Sequence, residues 1–273
     1  MAAVQPEPER TDPSAPRIFQ ERQPDGVSPL ELTGERTLPD VPAENYWYRR
    51  HLVVYEWIRA RVGGLRVIDM ACGEGYGAAV LARTAASVVG VDANPEAFEH
   101  ARAKYGAPNV RFERALIDAF DEPCDAIAFL QTIEHVTNPD AVLDHLMGLV
   151  AGSPAPALYV STPNVLTLAP PGAQRSDNPW HVREYRAEEL RALCARHASR
   201  VELHGLYHAG RLKAHQIAIE RLHWDAVHSR LGITKRFYDR FVPSISERDF
   251  ALVSELDGAE LDGALDLVAV LRP

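Results

Sequence analysis

Short, nearly unbroken apolar runs recur along this chain, separated by amphipathic stretches of about three helical turns. RVIDMA (66–71), SVVGVD (87–92), VRFER (110–114), DAIAFLQ (125–131), ALYVST (157–162), RVELHGLYH (200–208) and LDLVAVL (265–271) read as strands. Segments 78–85, 95–105, 139–150 and 187–197 read as helices. Strands alternating with helices of that length predict parallel βαβ units with right-handed crossovers.

The flanks follow other patterns. Residues 1–28 are rich in proline and charge, cannot bury enough surface to offset their ordering entropy, and predict a disordered or loosely draped arm. Over 29–64, Pro42 and the Tyr46-Trp47-Tyr48 cluster lead into a helix spanning 43–62 that Gly63-Gly64 ends. Aromatic density this high predicts packing over the domain that follows. Residues 65–208 plus 264–273 form that α/β domain. The intervening 209–263, helical in spacing over 212–231, are too long for a hairpin loop and predict a helical lid or an interface element of a homodimer.

Composition narrows the classes. The 273 residues, 46% hydrophobic and 25% charged, suit one elaborated α/β domain. A net charge of −9 argues against a nucleic-acid partner, which needs clustered positive charge. No apolar run reaches the ~18 residues of a membrane span and the start does not read as a signal peptide, so a cytoplasmic location is expected. Cys72, Cys124 and Cys194 are odd in number and widely spaced, which fits neither a disulfide framework nor a zinc knuckle.

The candidate chemistry begins where the first strand meets the first helix, at Asp69-Met-Ala-Cys-Gly73-Glu-Gly75-Tyr-Gly77. Glycines there let the backbone turn sharply and approach a ligand closely. Asp69, ahead of them on the strand, is placed to hold a cationic or hydroxylated group. Asp92 ends the second strand at the spacing at which a carboxylate grips ribose hydroxyls.

DMACGEGYGAAVLA and VVGVDANPEAFEHAR resemble the class I S-adenosylmethionine-dependent methyltransferases, over about residues 65–208 and the last strand. The resemblance implies a Rossmann-like α/β fold with a seven-stranded sheet, order 3-2-1-4-5-7-6, the last strand antiparallel. Around it would lie an N-terminal helical cover and the helical insertion before the last strand. It implies S-adenosylmethionine as cofactor. Asp69, Ala71, Gly73 and Gly75 would lie along its methionine part, Asp92 on the ribose, and Ala93 or Asn94 beside the adenine. Ala115-Leu116 would meet the adenine edge, with Asp118 the nearest acid, and Gln131 would sit at the reactive end. Arg50 or His51 would supply a cation for the methionine carboxylate.

The acceptor side follows the fourth and fifth strands, because ligands of open α/β sheets lie at the carboxyl ends of strands. There stand Gln131-Thr-Ile-Glu134-His135 and, further on, Asn178-Pro-Trp180-His181-Val-Arg-Glu184-Tyr185. Glu134-His135 reads as a helix-start pair bonded locally, as a catalytic pair with His135 the general base, or as metal ligands. The last reading resembles quinone O-methyltransferases and plant small-RNA 2′-O-methyltransferases, which carry Glu-x-x-Glu-His here. The latter add a histidine matching His181. That implies an Mg²⁺-type site on Gln131, Glu134, His135 and His181. Gln131 departs from the pattern: it can ligate through its carbonyl but brings no charge, which lowers the expected affinity.

LTGERTLPDVPAENYWYRRHLVVYEW, NPWHVREY and the closing LDLVAVLRP resemble the mycobacterial sugar 1-O-methyltransferases of methylmannose polysaccharide synthesis. This implies a small oligosaccharide acceptor, methylated at the reducing-end hydroxyl of a short, partly methylated mannoside, with His135 taking the proton and His181 steering the acceptor. Gly34-Glu35-Arg36 is shared, as a structural strap or a substrate contact. Tyr46, Tyr48, Trp180 and Tyr185 are a stacking surface for sugar or, as aromatics at such spacing usually are, core. The rivals are a methyltransferase of a phenolic or quinone small molecule, and a non-catalytic cofactor-binding partner subunit.

Overall fold

Alternation along the strands sends Val67 to one side of a sheet and Ile68 to the other, and both are buried. The same holds for Ala126 and Ile127 on the next central strand, so helices are needed on both faces. The structure, a computed structural model, describes residues 17–170 and 172–273; the expectation for residues 1–16 lies outside the described residues.

Eight strands build one mixed sheet: β1 (Arg66–Met70), β2 (Ser87–Asp92), β3 (Val110–Arg114), β4 (Ala126–Leu130), β5 (Ala157–Pro163), β6 (Arg200–His208), β7 (Phe250–Ser254) and β8 (Asp266–Arg272). Their order is β3-β2-β1-β4-β5-β8-β6-β7. The first five are parallel, while β8 runs antiparallel between β5 and β6. The seven strands expected from sequence lie in the expected order. The count is corrected to eight by β7, which pairs antiparallel with β6 from His204↔Ser254 to His208↔Phe250.

On one face, α1 (Asn45–Arg59) and α2 (Tyr76–Leu81) pack Leu52, Tyr55, Ile58 and Leu81 onto Val67, Ala126 and Ala128. On the other, α4 (Pro139–Val150) and α6 (Ala187–Cys194) pack Leu143, Leu146 and Leu190 onto Ile68, Ile127 and Phe129. Two more helices, α3 (Pro95–Tyr105) and α5 (Val165–Leu168), follow β2 and β5. Asn94 caps α3 by accepting from Glu96 N and Ala97 N, with Pro95 in the first helical position, where no N–H is needed.

The insertion is helical only in part. In place of one helix over 212–231 it holds α7 (Gly210–Leu222) and α8 (Trp224–Arg230), broken at His223, whose φ of 50° is left-handed. Then come α9 (Thr234–Phe241) and β7. It is fastened to the start of α1, where Asn45 Nδ2 donates to Val242 O and Ile245 O.

The N-terminal strap has its own order. Gln20 N donates to Leu30 O and Leu32 N to Ile18 O, so a small hairpin crosses the boundary placed at residue 28. Its buried Gln20 reaches the glycine turn, donating to Glu74 Oε1 at 3.0 Å and to Pro39 O. Among the described residues, no helix is long and apolar enough to cross a membrane.

Candidate active site

β1 delivers Asp69 to the crevice floor, 1% exposed. Its Oδ1 accepts from the Tyr55 hydroxyl at 3.0 Å, while Oδ2 has no hydrogen-bond partner. Burial pushes this carboxyl up to about 7, with the Asp92 charge adding to the shift. The chain then reverses through Ala71, Gly73 and Gly75, all at positive φ (58°, 55° and 95°). A side chain added at Gly73 would meet nothing within 4 Å, so this part of the turn opens onto free space beside Asp69.

Gly77, in the first turn of α2, does the opposite job. A β-carbon there would sit 2.6 Å from the Tyr55 hydroxyl oxygen, the atom that holds Asp69. Gly77→Ala is expected to unseat Tyr55 and destabilise the fold by about 1–3 kcal/mol. A lower urea midpoint at unchanged m would register that loss.

Asp92 ends β2 and braces the turn: Oδ2 accepts from Gly73 N at 2.8 Å and Oδ1 from Asn94 N at 2.9 Å. Each carboxylate oxygen keeps a second lone pair for a ligand hydroxyl. Ala115 N donates to Asp92 O, and the 44% exposed Leu116 beside it leaves an apolar edge near the same carboxylate. The Asn94 side-chain oxygen is engaged as the α3 cap, its N–H with Asp92 and its carbonyl with Phe98 N.

Two expected cations are not available. Arg50 is buried against Asp266, with Nε and Nη2 donating to its two oxygens at 2.6 and 2.5 Å and Nη2 also to Leu265 O. Its charge is neutralised within the fold, a correction to its assignment to a ligand carboxylate. Burial pushes His51 down to about 4, leaving it neutral at physiological pH. Sequence reasoning also passed over Glu74, between the two glycines. Buried at 1%, it accepts from Gln20, His100 (2.9 Å), Lys104 (2.8 Å) and Tyr105, and so anchors the turn to both α3 and the strap.

Past β4, Gln131 takes a left-handed φ of 50°, and its side-chain nitrogen donates to Ser161 Oγ on β5 at 3.0 Å. The next turn presents Glu134 and His135. Glu134 is 1% exposed, Oε2 has no partner, and burial pushes the carboxyl up to about 8. Its backbone carbonyl accepts from Val182 N and Arg183 N, which pulls the 178–185 segment over the site.

Both imidazoles have a defined tautomer. His135 Nδ1 donates to Trp180 O at 2.8 Å, leaving a lone pair on Nε2. Burial lowers the pKa of His135, which favours that neutral form. His181 Nδ1 faces Glu184 Oε1 at 2.7 Å. Asn178 Oδ1 accepts from Trp180 N, so its Nδ2 is the donor to His181 Nε2 at 3.1 Å, and that nitrogen's lone pair is engaged there. Burial opposes ionisation of Glu184, but hydrogen bonds from Ser176 and His181 outweigh it and lower its pKa. A carboxylate behind a histidine in this way is how metal-binding imidazoles are commonly oriented.

Glu134, His135 and His181 each offer a ligand atom within 4.8 Å of the others. His135 Nε2 is 4.0 Å from Glu134 Oε1, too far for a hydrogen bond. A cation between these groups would pair the orphaned Glu134 oxygen and keep it ionised, so the donor set fits a divalent ion on mixed O and N ligands, provided that Asn178 Nδ2 gives up His181 Nε2 to it. Gln131 stands at the same strand end but is tied to Ser161. Of the aromatics, Tyr185 is fully buried in the core and Tyr46 packs on Phe250, while Trp180 remains partly open.

A family model described as "Methyltransferase domain" matches residues 33–209. A Mycobacterium tuberculosis protein named "Probable S-adenosylmethionine-dependent methyltransferase" is 34% identical over 252 residues, 89% of this chain and 90% of the relative. The ubiquinone biosynthesis O-methyltransferase of Xylella fastidiosa is 35% identical over 112 residues, 39% of this chain and 45% of its own. In structure, the chain is similar to an S-adenosylmethionine-dependent methyltransferase of Thermotoga maritima, with a TM-score of 0.55, 15% identity, and 83% of this chain and 92% of that one covered.

Proposed function

Because the chain belongs to the S-adenosylmethionine-dependent methyltransferases, we propose that it O-methylates a sugar, at the reducing-end 1-OH of a short, partly methylated mannoside. The observation that carries an O-methyl transfer is the Glu134–His135–His181 cluster at the acceptor end of the sheet, with the free Nε2 lone pair of His135 and one orphaned carboxylate oxygen, beside a His181 Nε2 that accepts from Asn178. Its surroundings, Asn178, Arg183 and Glu184, are polar in a way that suits hydroxyls better than an apolar quinone ring. The sugar itself rests on the resemblance of the strap, the NPWHVREY segment and the last strand.

The cofactor supplies a methyl group already activated on a sulfonium, so the protein has to orient, place charge and remove a proton. Asp69 Oδ2 suits the cofactor's ammonium, the open side of Gly73 the methionine backbone, and the spare lone pairs of Asp92 the ribose hydroxyls. His135 Nε2 takes the acceptor proton, and His181 steers the hydroxyl from the opposite wall. Where a divalent ion is bound, Glu134, His135 and His181 would hold it, with the Gln131 carbonyl as a further oxygen, and its charge would lower the acceptor hydroxyl's pKa.

Methyl transfer to a panel of short mannosides, with Mg²⁺ and with EDTA, tests the reading. Transfer that EDTA lowers at least about tenfold makes His135 a ligand. Transfer unchanged by EDTA makes it the base. Absence of transfer to every sugar, with cofactor bound, turns the assignment to phenolic acceptors, the reading that similarity to the ubiquinone enzyme over residues shared by both favours.

A further inference from the structure

Away from the catalytic cluster, a cavity of about 300 Å³ opens between the strap and the start of α1. That volume lies at the lower end of small-molecule pockets. Glu21, Arg22 and Asp40 line it from the strap, Pro42, Tyr48 and Arg49 from the other side. We propose that this cleft binds a neutral sugar ring; on the sugar reading above, on which this use of it rests, it holds the acceptor residue remote from the methylated hydroxyl.

Its charges are the first reason. Asp40 pairs with Lys104 at 3.0 Å and Arg49 with Glu247. Glu21 and Arg22, adjacent in sequence, have no ion-pair partner among the described residues. One free carboxylate beside one free guanidinium gives no net charge to attract an ion. It does give acceptors and donors in the array that vicinal hydroxyls satisfy, while Pro42 and the Tyr48 ring offer apolar surface to a sugar's C–H face.

The backbone is the second reason. Among the described residues five non-glycine positions have positive φ: Arg22 (53°), Asp40 (63°), Ala71, Gln131 and His223. Ala71 and Gln131 lie at the two ends of the catalytic crevice, and His223 joins two helices. The other two lie side by side on the strap wall of this cleft, where Glu21 N donates to Asp40 O at 2.8 Å. Aspartate tolerates that conformation, but arginine does not favour it, and glycine would serve the turn better. Backbone strain of this kind clusters at ligand clamps.

The third reason is position. Tyr48 meets Tyr76 edge-on at 5.1 Å, Tyr76 meets Tyr55 at 5.5 Å, and Tyr55 holds Asp69. Asp40 and Glu74 share Lys104, which links the cleft wall to the glycine turn. The cleft thus adjoins the cofactor crevice.

The test is a titration of the full-length protein with an α-linked mannobiose, by calorimetry and saturation-transfer NMR, without cofactor. Wild type is expected to bind, and the Glu21→Gln/Arg22→Gly double variant to bind at least about tenfold more weakly. Its thermal midpoint should be no lower than wild type, since glycine is at ease at that φ. Equal binding by both proteins, or none by wild type, overturns the proposal. Variant-sensitive binding without methyl transfer to any sugar keeps the cleft as a sugar site and removes the acceptor reading instead. An unchanged KM for the longer mannosides in the double variant overturns the acceptor role of the cleft while transfer to sugar stands.

Discussion

His135→Ala is expected to lower kcat by about 10²–10⁴-fold while leaving the Kd for S-adenosylmethionine within a factor of about two. The expectation follows from where its two nitrogens point. Nδ1 is held by the Trp180 carbonyl, so Nε2 alone carries chemistry, and it faces the Glu134–His181 cluster rather than the glycine turn. Removing the ring deletes a base or a ligand and touches neither Asp69 nor Asp92. Stopped-flow turnover and equilibrium cofactor binding measured on one preparation separate the two effects. If cofactor affinity falls in step with kcat, the ring serves to hold the 178–185 segment in place and has no direct part in the reaction.

Asp69→Asn should cut cofactor affinity by about ten- to a hundredfold and at the same time stabilise the free protein at alkaline pH. The affinity loss reflects a charge-assisted hydrogen bond to the ligand ammonium exchanged for a neutral one. The stability gain follows from linkage. The folded carboxyl titrates at about 7 against an ordinary 3.8, so folding favours its protonated form. Its contribution is therefore greatest below about pH 4, declines as pH rises towards 7, and stays low above it. A shift of that size corresponds to about 4 kcal/mol. An unpaired amide nitrogen offsets part of it, leaving a net gain of about 1–3 kcal/mol at pH 8. Urea unfolding at pH 5 and pH 8 checks the sign: a variant that gains at pH 5 and not at pH 8 contradicts the argument. Wild type should in turn bind cofactor more tightly as pH rises towards 7.

What was legible in the sequence tracks how local the determining physics is. β1, β2, β4 and β5 announce themselves because burial on both faces leaves few polar positions in them, whereas β3 is largely exposed and carries three charged residues in five. β7 does not, since four of its five residues are only half-buried and its pairing partner lies more than forty residues back. The break at His223 carries no glycine or proline to mark it. Glu134 and His135 could be found because they follow the end of β4, and His181 through its resemblance to the histidine of the small-RNA 2′-O-methyltransferases. Their orienting partners could not: a backbone carbonyl at Trp180 and the Asn178 amide become partners only once the segment folds back over Glu134. Arg50 was misjudged for the same reason, its partner Asp266 being 216 residues away. Glu74 did leave a trace. An acid between two glycines, with His100 and Lys104 one turn apart on α3, is a pattern that could have been read as a buried ion cluster.

The eighth strand has a bearing beyond counting. Without it, the nine-residue β6 would end the sheet and offer a long row of unpaired amides and carbonyls to any passing strand. β7 covers that row from His204 to His208, and just beyond its last pair the Glu255 carboxylate accepts from Leu203 N at 3.0 Å. The outermost rim is then only five residues long and closes in the acidic turn Glu255–Asp257. The insertion thereby acts as a terminator of the sheet, guarding the chain against edge-to-edge aggregation whatever its part in catalysis.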